Sequence, residues 1–146
     1  MTKAVLASGL AVLLLIAAAP VAAASSRHLS GGGTATISQV AFNVTIEGSA
    51  ASGSFNCLMA GRSAWVLPPF GLSHLMKVQA QPTAATVTGT IVHFSGPGFL
   101  IMDGKPKMQI HVMVWANVAT QHFQLTVVEV GAMPVETMLT GHFELR

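Results

Sequence analysis

Apolar and polar residues alternate along most of the chain from residue 40 onward, which is the pattern of strands with one face in a core. The run 40–47 shows it most clearly, with Val, Phe, Val and Ile at even positions and Ala, Asn, Thr and Glu at odd ones. The pattern predicts strands at 40–47, 52–58, 75–81, 83–94, 108–118, 121–130 and 134–145.

Residues that favour turns separate these runs, namely Glu47-Gly48-Ser49, Pro68-Pro69-Phe70-Gly71, Ser95-Gly96-Pro97-Gly98, Asp103-Gly104 and Gly131. A glycine run, Gly31 to Gly33, precedes the first predicted strand. We therefore predict an all-β, single-domain antiparallel β-sandwich or small β-barrel of about seven to eight strands, preceded by an N-terminal signal helix. On the last strand, we expect an inward face of Val135, Leu139, Phe143 and Leu145.

The first 24 residues have the organisation of an export signal. Lys3 provides the positive start, an apolar run extends from about residue 4 to 19, and small residues follow Pro20. We expect cleavage after Ala24, which divides the chain into a signal peptide at 1–24 and an antiparallel β domain at 25–146. The expected location is secreted or periplasmic, without membrane attachment after cleavage; a retained membrane anchor is the alternative.

Charged residues make up only 8% of the chain, and the formal net charge is +2. Lys and Arg are scattered singly, whereas nucleic-acid binding requires them in clusters, so we expect no nucleic-acid partner. A surface with so few charges favours self-association. The expected partner is otherwise an unknown ligand or a component of the cell envelope.

The inventory of catalytic groups is small. Only one Asp and four Glu follow the leader, Asp103 precedes Gly104 in a turn pattern, and no G-x-S-x-G sequence occurs. Gly31 to Gly33 lead into a strand-like sequence, which argues against a phosphate-binding loop. We expect neither an enzyme nor a cofactor.

Cys57 is the only cysteine, so no disulfide can form within the chain. It shares the face of Phe55 in an alternating run, and we expect it to be buried and inert. A metal ligand or an intermolecular disulfide is the alternative.

His and Met residues occur on predicted outward faces, which raises the possibility of a metal site. His111, Met113 and Trp115 alternate on one strand, and His122 and His142 lie on the two strands that follow. Imidazole and thioether are suitable ligands for Cu(I). We expect an exported, non-catalytic binding or structural module of the cell envelope or of the space outside the cell. The alternative function is a periplasmic copper-type metal-binding protein with ligands His111, Met113, His122 and His142. Packing or a solvated face explains the same residues without metal.

The segment 61–75, GRSAWVLPPFGLSHL, is a second candidate site. Trp65 and Phe70 would offer large contact areas to a ligand or partner. The competing interpretation is a plug that covers one end of the fold.

Several phrases together carry a resemblance: HLSGGG, GSFNCLMAGRS, MKVQAQ, TGTIVHF and the ending PVETMLTGHFELR. They resemble a group of small exported bacterial β-proteins of unknown function. The glycine-rich start, the T-x-T-G-T strand and the terminal L-T-G-x-[FI]-x-L strand are more distantly similar to post-COAP-1-type β-domains. The resemblance implies export and an antiparallel β fold, and it transfers no catalytic or ligand-binding residue.

Overall fold

The computed structural model describes residues 25–60 and 75–146, which form ten antiparallel strands. The strands are β1 Ser26–Ala35, β2 Gln39–Glu47, β3 Ala50–Ala60, β4 Leu75–Ala80, β5 Ala84–Thr88, β6 Ile91–Met102, β7 Met108–Asn117, β8 His122–Val127, β9 Gly131–Ala132 and β10 Glu136–Leu145. The predicted all-β, antiparallel character is confirmed. The predicted signal helix at 1–24 lies outside the described residues. Neither described range contains a helix with the length and hydrophobicity needed to cross a membrane.

All ten strands belong to one sheet, whose pairing runs in the order β10, β1, β2, β3, β4, β6, β7, β8 and β9. The start of β10 also pairs with β8, so the sheet closes on itself. β5 continues the line of β4 and pairs with β3 and β6. The alternation of side chains therefore divides the molecule into an enclosed interior and one continuous outer face.

Five phenylalanines fill the centre of this interior. Phe42 is their hub, because its ring centroid lies 4.8 to 6.3 Å from those of the other four. Its partners are Phe55, Phe94, Phe123 and Phe143. Burying side chains of this size contributes roughly 1.5–3 kcal/mol each, so the core stabilises the fold without an internal disulfide.

The glycine run does not precede the first strand, as the sequence indicated, but lies within β1. Gly31, Gly32 and Gly33 pair with residues of β10 on one side and of β2 on the other. A Cβ atom on Gly33 would lie 2.0 Å from the carbonyl oxygen of Thr140. Glycine therefore permits a close approach of the backbones of β1 and β10. The same glycines leave β1 without the alternating apolar pattern that identifies the other strands.

The predicted strand 83–94 is in fact two strands, β5 and β6, with a turn at Gly89 and Thr90. The predicted turn at residues 95–98 is wrong, because these residues continue β6. A Cβ on Gly96 would lie 2.1 Å from the carbonyl oxygen of Gln81, at the bend between β4 and β5. Gly96 therefore does not form a turn. It lets the backbone at Gln81 pack closely against β6.

The predicted inward face of β10 is also wrong in part. Val135 and Leu139 are 55% and 65% exposed, whereas Glu136 is buried and Phe143 reaches the core as expected. Thr34 pairs with Thr140 while Ala35 pairs with Met138, so Leu139 is an extra residue in a β-bulge. An extra residue reverses the alternation, which explains why the two ends of β10 bury opposite positions.

The closure between β8 and β10 depends on one side chain in addition to the backbone pairing. The side-chain amide of Gln121 accepts a hydrogen bond from the backbone N–H of Phe143 at 2.9 Å and donates one to its carbonyl oxygen at 2.9 Å. The Gln121 side chain therefore forms the two hydrogen bonds that the backbone of a paired strand residue would form, just before the start of β8. On the other side of β10, His28 and Arg146 exchange two backbone hydrogen bonds of 2.8 and 3.0 Å.

Candidate functional site

The outer face of β6 and β7 carries a strip of side chains with few charges. The register sets four residue pairs across the two strands, and the strip consists of His93 and Trp115, Ser95 and Met113, Pro97 and His111, and Phe99 and Gln109. Successive pairs on one face are about 6.6 Å apart, so the strip is about 20 Å long. We call these eight residues the β6–β7 strip.

A cavity of about 300 Å³ lies at the Trp115 end of the strip, and we call it the Trp115 pocket. The register aligns Thr86, His93, Trp115 and Gln124 across β5, β6, β7 and β8. A parallel row on the same face contains Ser95 and Met113. The volume is at the small end of the range of ligand sites, which suits one ring-sized group.

The chemistry of the Trp115 pocket combines an apolar surface with a polar rim. Trp115 is half-buried and Met113 is 56% exposed, so both side chains present apolar surface at the outer face. Thr86 and Gln124 supply a hydroxyl and an amide, and His93 supplies an imidazole. None of the described residues that line the pocket is Lys, Arg, Asp or Glu. The arrangement is suited to an uncharged ligand with both an apolar face and hydrogen-bonding groups.

The structure brings together two of the four proposed metal ligands. His111 and Met113 are neighbours on the outer face of β7, as the alternation predicted. The carboxylate of Glu129 accepts hydrogen bonds from the backbone N–H of His111 at 2.9 and 3.0 Å, and its Oε1 atom lies 3.3 Å from Nδ1 of that ring. His111 is therefore oriented by Glu129, with its Nε2 atom directed away from this contact.

The same contacts set the ionisation of Glu129. Desolvation raises the pKa of Glu129, but hydrogen bonds from the backbone N–H groups of His111 and of Glu129 itself lower it by more. The hydrogen bond and the charge of the His111 ring lower this pKa further. The net result is a pKa below the ordinary value of 4.5. This contact therefore stabilises the fold above that pH region and is lost as the pH falls through the lowered pKa.

The other two proposed ligands lie elsewhere. His122 lies at the start of β8, where it pairs with Asn117 of β7 and Thr137 of β10. His142 lies on β10 and pairs with Gly32 of β1. In residues 25–60 and 75–146, no group of three or more His, Cys, Asp or Glu side chains is placed to hold a metal ion. The copper hypothesis stays a prediction that now rests on His111 and Met113.

Trp65 and Phe70, the predicted ligand or partner residues, lie outside the described residues. Their proposed role also stays a prediction.

A buried polar cluster lies inside the fold, next to the only cysteine. Cys57 is fully buried, as expected, and Glu136 is 1% exposed. Ser38 Oγ donates toward the Glu136 carboxylate, at 2.9 Å from each oxygen, and the backbone N–H of Ile37 donates to it at 3.0 Å. The cluster joins β10 to the connection between β1 and β2.

We expect Cys57 to be unreactive in the folded protein. Burial raises the pKa of the Cys57 thiol to about 12, since the lowering effect of the Ser38 hydrogen bond is smaller and the Glu136 charge also raises it. Very little of the thiol is then ionised at pH 8, and the thiolate is the reactive form. Iodoacetamide at pH 8 should label Cys57 only when urea unfolds the chain, as measured by mass spectrometry.

A variant with an exposed thiol provides the control for this labelling. Cys57→Ser combined with Ser52→Cys places the only thiol at an exposed position of β3, where it should be labelled without urea. Equally rapid labelling of Cys57 in the native protein would contradict its burial.

No known relative helps to assign the site. Comparison with protein-family models, curated proteins and solved structures finds no match. The resemblance to exported bacterial β-proteins therefore stays a prediction.

The sequence did not identify the Trp115 pocket, although it placed Trp115 on an outward face. The pocket depends on the pairing of Thr86 with His93, which requires a turn at Gly89 and Thr90. A single strand over residues 83–94, which the alternation predicts, does not allow that pairing. The usable signal was Thr88-Gly89-Thr90, because glycine at 89 adopts the positive φ of 60° that tight hairpins need.

Proposed function

We propose that this chain is an exported, non-catalytic binding module of the small-barrel type, with its binding site at the Trp115 pocket. The observation that carries the proposal is a half-buried indole within a concave site on the outer face of a sheet. An indole there offers a large, rigid contact area at little cost in conformational entropy. The leader at 1–24 and the small inventory of catalytic groups support export and a binding role.

The lining of the pocket indicates the kind of ligand. Hydroxyl, amide and imidazole groups around an apolar surface favour a ligand that has a ring face together with donors and acceptors at its edge. The described lining residues carry no fixed charge, which favours a neutral group. Self-association of the few-charge surface is the competing use of this face.

The first test is removal of the indole. We expect Trp115→Ala to weaken the binding of ring-shaped probes by at least about tenfold, because the main contact surface is lost. The probes are methyl β-glucoside, cyclohexane-1,2-diol and indole, and binding is measured by NMR titration of isotope-labelled protein. The parent protein should show shifts at Thr86, His93 and the Trp115 indole N–H.

Two controls keep this test specific. Met108→Ala removes another exposed apolar side chain of β7, 40% exposed, from outside the pocket lining, and should leave probe binding unchanged. Trp115→Phe should retain part of the affinity, since it keeps an aromatic surface. If none of the three probes shifts the pocket resonances of the parent protein, the proposed site is wrong.

A further inference from the structure

A second concave site lies on the other end of the β6–β7 strip, and its lining is rich in amides. This cavity of about 480 Å³ is centred on a row of side chains across β3, β4, β6 and β7, and we call it the amide groove. The row consists of Asn56, Gln79, Phe99 and Gln109. Because neighbouring strands are about 4.8 Å apart, the row is about 14 Å long.

Several side-chain amide groups of the amide groove have donors and acceptors that are available to a ligand. Gln79 Nε2 donates to Asn56 Oδ1 at 3.3 Å, which orients both amides. Gln79 Oε1 and Asn56 Nδ2, and the whole side-chain amide of Gln109, have no hydrogen-bond partner within the described ranges. The groove therefore presents donors and acceptors side by side, which is the complement of a hydroxyl group that both donates and accepts.

An aromatic ring lies within the same row. Phe99 is 38% exposed, and Lys107 Nζ lies 3.7 Å from its ring centroid. The ammonium group therefore lies over one face of the Phe99 ring in a cation–π contact. Such a contact is weak at an exposed site, so a ligand that stacks on the ring can displace the lysine. The groove thus pairs one aromatic surface with several planar amides, whereas the Trp115 pocket pairs an indole with a hydroxyl, an amide and an imidazole.

We infer that the Trp115 pocket and the amide groove are two subsites for one neutral oligosaccharide that runs along the β6–β7 strip. This inference rests on the proposed function and names its class of ligand. A sugar chain offers apolar ring faces to Trp115 and Phe99. Its hydroxyl groups can bind the amides that flank the two rings, namely Gln124 beside Trp115 and Gln79 and Gln109 beside Phe99.

Other elongated ligands fit the strip less well. A peptide that adds a strand needs a free sheet edge. β6 is paired on both sides, and β8 covers the second side of β7 from Val112 to Asn117. Within the described ranges, residues 108–110 leave an edge of only three residues, which is short for a peptide that adds a strand. A nucleic acid needs several basic groups along its backbone, and Lys107 is the only Lys or Arg among the described residues that line either subsite. A neutral chain with many hydroxyl groups satisfies both the amides and the low charge.

The test compares short and long sugars. The purified protein is titrated by calorimetry with disaccharides and hexasaccharides of the cello-, xylo-, chito- and malto- series. We expect the hexasaccharide of at least one series to bind about tenfold tighter than its disaccharide, because it engages both subsites at once. Phe99→Ala and Gln79→Ala should remove this gain and leave disaccharide binding intact, whereas Trp115→Ala should weaken both.

Matched control variants show whether loss of any exposed side chain of the same type, outside the groove, would have the same effect on binding. Met108→Ala is the control for Phe99→Ala, and Gln39→Ala, an exposed amide of β2 outside the groove lining, is the control for Gln79→Ala. Both should keep the length dependence, and circular dichroism checks that every variant is folded.

The outcomes separate this inference from the proposed function. Equal affinity for disaccharide and hexasaccharide would overturn the second subsite and leave the Trp115 pocket standing. Binding of indole at the Trp115 pocket without any response to the four sugar series, or saturation of the strip by the neutral peptide (Gly-Ser)5 in their place, would overturn the oligosaccharide assignment. Failure of every probe at Trp115 would overturn the proposed function itself.

Discussion

Replacing Glu136 with alanine is expected to lower the free energy of unfolding by about 4 kcal/mol. The carboxylate is buried and accepts hydrogen bonds from Ser38 Oγ and the backbone N–H of Ile37. Alanine leaves both donors buried without a partner and opens a cavity where the carboxylate was. Because Glu136 pairs with Phe123 at the closure of the sheet, the loss weakens the closure as well as the connection between β1 and β2.

Urea unfolding followed by circular dichroism measures this effect. Glu136→Gln keeps one acceptor oxygen, so we expect a smaller loss of about 2 kcal/mol. Glu144→Gln is the matched control on the same strand. This carboxylate forms an exposed pair with Arg146, so its replacement should change the free energy of unfolding by less than about 0.5 kcal/mol. A loss below about 1 kcal/mol for Glu136→Ala would show that the buried hydrogen bonds contribute little net stability.

Gly141→Ala is expected to destabilise the fold by more than about 3 kcal/mol, through two separable effects. Gly141 has a φ of 73°, which disfavours any residue with a side chain. A Cβ at this position would also lie 2.1 Å from the carbonyl oxygen of Gly32, so β1 and β10 would have to move apart. The strain then falls on the pairing of β1 with β10.

Gly89→Ala isolates the conformational part of this cost. Gly89 has a φ of 60°, and a Cβ there would meet nothing within 4 Å. We therefore expect a cost of about 1 kcal/mol, and the difference between the two variants measures the steric part. Equal losses in urea unfolding would mean that the backbone at Gly141 adjusts without cost.

The regular half of the fold could be predicted from the sequence because its strands alternate. Phe42 and Val44 on β2 and Val112 on β7 face the interior as their positions indicated. β1 could not be predicted in this way, because glycine occupies the centre of the strand and leaves no alternation to detect. On β10, the bulge at Leu139 reversed the pattern, so a buried glutamate replaced the expected valine.

The candidate site was predictable only in fragments for a related reason. Alternation along β7 correctly placed His111, Met113 and Trp115 on one outward face, since that depends on a single strand. The neighbours that complete the Trp115 pocket come from β5, β6 and β8, and their alignment depends on the register between strands. Turn positions set that register, and the turn at Gly89 and Thr90 was not recognised.

The backbone pairing of His28 with Arg146 makes the first described strand a neighbour of the last. The chain is synthesised from its N-terminus, so β1 can pair with β2 early but with β10 only after the last strand has been made. Phe143, which contacts Phe42 in the core, also arrives only with this last strand. Contacts between residues so distant in sequence slow folding. The core and the second side of β1 are therefore completed only after β10 has been synthesised.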